Sequence, residues 1–290
     1  MSRSIRGLAL VLAAVLAAGA CGGTGGGKHA ADTASDTASD RASGTASGGE
    51  GTNQASWWRP KPRTTWQWQL SGRVDTSVRA QVYDVDLFET PAATVAKLKK
   101  AGRRTICYTS IGTAENWRPD FKRFPARVLG KNVADWPGER WVDIRRLDVL
   151  RPIWSARLDQ CKRKGFDGVE PDWMDGYKND TGFKLTARDQ LAFNRMLATV
   201  AHQHGLAIGL KNDLGQIPQL VGVMDFAVNE QCAQYGECGK LVPFVKAGKA
   251  VFHAEYELPL SKFCATSRKL GLSSIRKPLE LTAQRQACPA

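Results

Sequence analysis

From about residue 80 onward the chain alternates short apolar runs with stretches of helical period. Residues 80–85 (AQVYDV) predict a strand. Residues 91–102 predict a helix, with Thr90 as its cap, Pro91 in its first turn and Gly102 at its end. Residues 103–110 (RRTICYTS) give a second strand. A long stretch bearing Trp and Pro follows over 111–140, and WVDI at 141–144 reads as the third strand. The helix predicted over 149–165 must take Pro152 into its first turn, where a missing N–H breaks no helical bond. FDGVE at 166–170 is the fourth strand. Residues 186–205 carry the clearest helical pattern. Thr186 and Asp189 resemble a capping box, Phe193, Leu197 and Val200 form an apolar stripe, and Gly205 closes the helix. Residues 206–210, 223–229, 249–255 and 273–277 complete a set of eight strands, with a helix near 259–270 before the last.

This alternation predicts an α/β fold, a single (β/α)8 TIM barrel over residues 56–290. An open doubly wound sheet is the rival, but the chain lacks the Gly-rich phosphate turn that a dinucleotide fold would carry. Trp57, Trp58, Trp66 and Trp68 cluster before the predicted first strand. They are expected to plug the barrel's bottom, cover its side or offer a small sugar platform.

The first 55 residues stand outside this pattern. Residues 1–20 read as a signal peptide: Arg3 and Arg6 give a basic start, Leu8 to Ala18 an apolar core, and small residues precede Cys21. Ala-Gly-Ala-Cys is similar to a bacterial lipobox, with Ala18 where Leu is usual, so lipidation of Cys21 competes with plain secretion. Residues 21–55 form a Gly/Ser/Thr/Ala-rich linker with too little apolar surface to offset its ordering entropy. The localisation expected is extracellular, anchored to the outer face of the cell membrane.

Seven cysteines are present. With Cys21 set aside, six remain, and an even set in an exported chain predicts three disulfides. Six cysteines allow about 15 pairings. Cys232–Cys238 is favoured as a near-neighbour pair, Cys264–Cys288 would pin the C-terminal end, and Cys107–Cys161 takes the remainder. No CxxC pair occurs and the four histidines lack ligand spacing, so no metal and no cofactor is expected.

Net charge is +13. Residues 1–55 hold four basic residues (Arg3, Arg6, Lys28, Arg41) and four acidic ones (Asp32, Asp36, Asp40, Glu50), so the excess belongs to the folded part. No nucleic-acid motif accompanies it, and a solvated surface with affinity for an anionic envelope is expected.

The polar residues fall at one end of the predicted strands, the C-terminal end, where such barrels carry their chemistry. Strand by strand these are Asp84 and Asp86; Tyr108 and Ser110; Asp143; Glu170 and Asp172; Lys211, Asn212 and Asp213; Asn229 and Glu230; Glu255 and Tyr256. Asp172 follows Pro171, which is expected to end the ladder and turn the backbone outward. Glu230 leaves its strand the same way. Glu170 shares strand parity with Phe166 and Gly168 and either points inward or pairs structurally. Lys211 is placed to pair with Glu170 or Asp172. Asp167 and Asp175 read as turn residues and His253 as a packed core histidine. Two rim carboxylates on different strands are the minimum equipment for glycoside hydrolysis, one as proton donor and one as nucleophile or base. Trp117, Trp136, Trp141, Trp173 and Tyr177 lie on or near the same loops, where sugar faces stack on aromatic rings.

YDVDLF (83–88), WPGERWVDIR (136–145), GFDGVEPD (165–172), GLAIGLKND (205–213), FAVNEQC (226–232), AVFHAEYE (250–257) and SSIRK (273–277) resemble glycoside hydrolase family 114, the endo-α-1,4-polygalactosaminidases. The resemblance implies a (β/α)8 hydrolase of α-1,4-linked galactosamine polymers. It matches the two catalytic carboxylates to Asp172 in EPD and Glu230 in NEQC. By analogy with retaining barrel α-glycosidases, Asp172 is the nucleophile and Glu230 the acid/base. Asp84, Asp86, Tyr108, Asp143, Glu170, Trp173, Lys211, Asn212, Glu255 and Tyr256 are the expected substrate-binding residues. Members often carry Asn after EPD, and this chain has Trp173, which touches the subsite beside the nucleophile. The partner expected is a cationic amino-sugar polysaccharide, drawn by acidic residues near the cleft, and the enzyme is expected to be a monomer. A non-catalytic glycan-binding barrel, or a hydrolase of another cell-wall or N-acetylated glycan, is the alternative. A metal-dependent esterase lacks its ligands.

Overall fold

The computed structural model describes residues 57–289. The signal peptide, Cys21 and the linker expected over 1–55 lie outside the described residues. Twelve strands form two sheets. In chain order they are β1 (Trp66–Gln69), β2 (Val82–Asp86), β3 (Arg104–Ser110), β4 (Thr113–Glu115), β5 (Leu129–Asn132), β6 (Glu139–Val142), β7 (Gly168–Asp172), β8 (Ala207–Lys211), β9 (Phe226–Glu230), β10 (Val251–Glu255), β11 (Ser273–Arg276) and β12 (Gln286–Ala287). The helices are α1 (Ala92–Lys100), α2 (Leu147–Lys164), α3 (Ala187–Gln203), α4 (Ile217–Leu220), α5 (Val242–Lys246) and α6 (Leu260–Leu270).

The main sheet is nine-stranded, in the order β1-β2-β3-β7-β8-β9-β10-β11-β12. Every neighbour pair from β1 to β11 is parallel, and β12 is antiparallel to β11. The sheet curls, with helices on its outer face. Its two ends approach each other: the Trp66 indole N–H donates to the Ser273 carbonyl at 2.8 Å, and the Leu70 N–H to the Leu281 carbonyl at 3.0 Å.

The eight parallel strands are not the eight predicted. WVDI at 141–144 does not enter the main sheet. Its first half is the end of β6, the central strand of a three-stranded antiparallel sheet, β4-β6-β5. A parallel crossover needs a helix or an equivalent length of chain. The stretch 111–140 is long enough for one, but it holds β4 and β5 and no α-helix, and the crossover to β7 is made later by α2. The missing strand is β1, from the segment read as a plug. Gln67 and Gln69 alternate with Trp66 and Trp68, and both tryptophans are buried.

Trp66, Trp68, Val82, Ile106, Ala207, Phe226, Val228, Phe252, Ala254 and Ile275 form the core inside the curl, taking alternate strand positions. A Cβ on Gly209 would lie 2.4 Å from the Phe226 ring, so this position must be bare for the ring to fit. The opposite parity packs outward under the helices: Tyr83, Val85, Cys107, Val169, Ile208, Leu210, Ala227 and Val251 join Val95, Leu98, Trp154, Leu158, Phe193 and Leu197.

Local signals behave as the physics asks. Thr186 and Asp189 make a full capping box on α3. Pro91, not Thr90, precedes the first residue of α1, and no side chain caps that helix. α2 starts at Leu147, so Pro152 falls inside the helix instead of its first turn. All three disulfides join the favoured pairs: Cys107–Cys161, Cys232–Cys238 and Cys264–Cys288, with Cα–Cα distances of 6.0, 4.7 and 5.3 Å. They fit an extracellular protein. No helix among the described residues is long and apolar enough to cross a membrane.

Candidate active site

Three adjacent strands end in the same way. β7 stops at Asp172, β8 at Lys211 and β9 at Glu230, and the next residue of each is left-handed without being glycine: Trp173 (φ 61°), Asn212 (φ 51°) and Gln231 (φ 59°). Non-glycine residues rarely take this conformation, and it concentrates at functional sites. Here the turn leaves a charged side chain as the last inward-facing group of each strand. Pro171 does not end the ladder: β7 stays paired with β3 through Thr109↔Pro171 to Ser110↔Asp172. Pairing with β8 stops earlier, at Val169↔Ile208. Trp173, not Pro171, turns the chain. Gly112 lets it do so, since a Cβ there would stand 2.0 Å from the Trp173 carbonyl oxygen.

Lys211 is the centre. It is 3% exposed, and its Nζ stands 2.9 Å from Glu170 Oε1, 3.0 Å from Asp172 Oδ1 and 3.4 Å from Glu230 Oε2. Burial alone would push its pKa down, but these three carboxylates carry it well above the ordinary value. The Trp68 ring centroid lies 4.8 Å from Nζ and makes a cation–π floor.

Each rim carboxylate has its own phenol. Tyr108 donates to Asp172 Oδ2 at 2.7 Å, and Tyr256 donates to Glu230 Oε1. Burial, reinforced by the carboxylate each one touches, raises both phenols well above their usual range, so both keep their protons. The Trp173 N–H adds a third donor to Asp172, at 3.0 Å to Oδ1. Asn212 grips Glu230 twice: its Nδ2 donates to Oε2 at 3.1 Å, and its Oδ1 accepts the Glu230 N–H at 2.9 Å. Asp172 and Glu230 remain partly open to solvent, with side chains 18% and 26% exposed.

Glu170 and Asp84 lie deeper, both fully buried. Burial raises Glu170, and Lys211 opposes the rise. Burial raises Asp84 well above the carboxylate range, and the Glu170 charge beside it adds to the effect.

Thus Asp84, Tyr108, Glu170, Lys211, Asn212 and Tyr256 gather around Asp172 and Glu230, with Trp173 beside them. Three expected residues do not. Asp86 is held by Arg118, at 2.6 Å, and by the N–H groups of Phe88 and Glu89. Asp143 is forked by Arg145 beyond β6. Glu255 sits on the outward parity of β10, accepting from His253 and from the Ala233 N–H, both at 2.8 Å. His253 is a satisfied core histidine, its Nδ1 meeting the Ser274 hydroxyl at 2.8 Å. Asp213 lies off the cluster too, bonded to Tyr177 and Asn194, and burial raises it to about 6.

Two features escaped the sequence reading. Trp68 is the floor under Lys211; the period-two alternation of WQWQ was its signal. Glu139, on β6, stands near Tyr108 and Asp172, and burial pushes it up to about 7. Trp141 packs edge-on against Trp173 with ring centroids 5.0 Å apart, while Trp117 and Trp136 are exposed.

The model of glycoside-hydrolase family GH114 matches residues 49–290. The crystal structure of Ega3 from Aspergillus fumigatus in complex with galactosamine is 41% identical, with TM-score 0.76, covering 82% of this chain and 100% of that one. The glycoside hydrolase domain of PelA from Pseudomonas aeruginosa is 16% identical, with TM-score 0.61, over 77% of this chain and 98% of that one, a likeness of fold. An uncharacterized protein of Deinococcus radiodurans is 33% identical over 133 residues, 39% of this chain and 41% of the relative. The match therefore spans about two fifths of that relative's length.

Proposed function

The chain belongs to glycoside-hydrolase family GH114 and is a glycoside hydrolase; on that premise we propose that it cleaves α-1,4-linked galactosamine polymer with retention at the anomeric carbon, Asp172 being the nucleophile and Glu230 the acid/base. One observation carries this reading: both carboxylates rest on the same ammonium. With contacts of 3.0 and 3.4 Å to Lys211 Nζ, their nearest oxygens are no further apart than the sum, about 6.4 Å. Inverting enzymes need about 6.5–9.5 Å to admit a water, and retaining ones about 5–5.5 Å. The galactosamine bound to Ega3 supports the substrate class.

In the first step Asp172 attacks the anomeric carbon while Glu230 gives its proton to the departing O4. Lys211, Tyr108 and the Trp173 N–H fix the attacking carboxylate, and the entropy of aligning it is met by folding. A phenol both donates and accepts, so Tyr256 turns its hydroxyl to accept from Glu230 when that residue carries the proton. In the second step a water gives its proton to Glu230 as its oxygen bonds to the anomeric carbon, which breaks the bond to Asp172 and releases the sugar. The substrate's ammonium groups are drawn by nearby carboxylates, since charges beyond about 8 Å are largely screened in physiological salt. The basic exterior then faces an anionic envelope. The curled sheet acts as a complete (β/α)8 barrel, and the enzyme works as a monomer outside the cell, tethered through a lipid on Cys21.

The test is reducing-end release from deacetylated α-1,4-galactosamine polymer, comparing the wild type with Asp172→Asn and Glu230→Gln. Activity in the wild type and its loss in both folded variants is the expected result. Binding without cleavage by the wild type would point to a glycan-binding barrel, and cleavage only of N-acetylated polymer to another substrate.

A further inference from the structure

Below the two rim carboxylates lies a hydrogen-bonding problem. Asp84 Oδ1, Asp84 Oδ2 and Glu170 Oε2 are buried, and none has a donor among the described residues. The two side chains meet, Asp84 from β2 and Glu170 from β7. An ionised carboxylate only accepts, so two ionised groups here would leave three buried acceptors without a donor from the chain. Lys211 does not relieve them: its ammonium bonds Glu170 Oε1 and Asp172 Oδ1 and stands 3.4 Å from Glu230 Oε2, and none of the three lone acceptors takes a bond from it. A proton between the two carboxyls turns one of them into a donor.

We propose that Asp84 is a positioning residue that works as a neutral carboxylic acid, donating its O–H to Glu170 and so fixing Glu170 as the buried anion that seats Lys211 between Asp172 and Glu230. The role in turnover rests on the reading of Asp172 and Glu230 given above; the protonation itself does not. Four ionised carboxylates around one ammonium would leave three uncompensated negative charges, and the Asp84 proton removes one of them. Glu170 then has both oxygens occupied, one by Lys211 and one by Asp84. Burial, with the Glu170 charge, favours the protonated form of Asp84 in the same sense.

Infrared difference spectroscopy on the folded chain at pH 9 tests this without substrate. At that pH Glu139, at about 7, and Asp213, at about 6, are ionised. The wild type should retain a protonated-carboxyl C=O band, and Asp84→Asn should lose it, because the amide N–H replaces the O–H toward Glu170. Asp84→Asn should keep kcat within about threefold of wild type, whereas Asp84→Ala should lower it by about tenfold or more with KM little changed. Absence of the band in the wild type overturns the proposal. Persistence of the band in Asp84→Asn would put the proton on another carboxyl and overturn it as well. Failure of Asp84→Asn to fold contradicts it too, since the amide should substitute. If the wild type does not cleave galactosamine polymer, the functional reading fails while the infrared result stands.

Discussion

Lys211→Met is the most informative single change, because it removes the charge and keeps most of the side chain's bulk. The consequences fall unequally on the three carboxylates. Asp172 and Glu230 reach solvent and retain a phenol each. Glu170 is fully buried, its Oε2 has no ordinary donor, and its Oε1 loses Lys211. Removing one partner of a buried ion pair costs about 3–5 kcal/mol. For a domain of this size each kcal/mol lowers Tm by about 2–4 °C, so the fall should be about 6–20 °C. The pH dependence gives the sign. Burial raises Glu170 and Lys211 opposes that rise, so the folded variant binds a proton there more tightly than the wild type. A carboxyl with a folded pKa above its unfolded one costs stability as pH rises past the unfolded value, until the folded value is reached. The variant's deficit must therefore be larger at pH 8 than at pH 5. Thermal melts followed by circular dichroism at the two pH values measure it. The double variant Lys211→Met/Glu170→Gln should recover about 2 kcal/mol or more relative to additivity. Equal deficits at both pH values, or strict additivity, would refute the reasoning.

Other expectations follow from single contacts. Tyr256→Phe removes the phenol from Glu230, and a hydrogen bond to a charged group contributes about 1.5–3 kcal/mol, so kcat should fall by at least about tenfold in steady-state assays. Gly112→Ala drives a methyl into the Trp173 carbonyl, and overpacking of that kind costs about 1–3 kcal/mol, visible in denaturant melts together with lost activity. The disulfides should rank by loop length. Replacing Cys107–Cys161 by alanines, over a separation of 54, should cost about 4 kcal/mol on the chain-entropy account. Replacing Cys232–Cys238, over a separation of 6, should cost about 2 kcal/mol, both read from urea midpoints.

Much of this molecule is legible in its sequence because its period-two and period-3.6 signals are strong. The capping box at Thr186 is a local fact, and the structure uses it as read, while the strands read over 166–170, 206–210 and 223–229 form but run one or two residues further, to Asp172, Lys211 and Glu230. Membership of the sheet is not local. WVDI has strand character, but which sheet it joins depends on the absence of a crossover helix before it, and the Trp66–Gln69 strand, for all its period-two alternation, is assigned to the main sheet only once its partner Val82–Asp86 is known. The same limit explains the site. Strand parity offered Glu170 an inward position beside a structural pairing, and parity counted through Glu255 would have placed that residue outward. The burden on Asp86 was invisible, because Arg118, its partner, lies 32 residues away in the excursion after β3. The orphaned acceptors of Asp84 and Glu170 appear only when strands far apart in the chain are brought together.

The claim at the centre is that Asp172 and Glu230, seated on one ammonium, hydrolyse a galactosamine polymer with retention. Proton NMR of the anomeric signals, recorded in the first minutes of cleavage of α-1,4-galactosamine polymer, tests it most directly. The account predicts that new reducing ends appear first as the α-anomer and reach the β-anomer by slow mutarotation. Release of the β-anomer first, or no new reducing ends from folded protein, would contradict it.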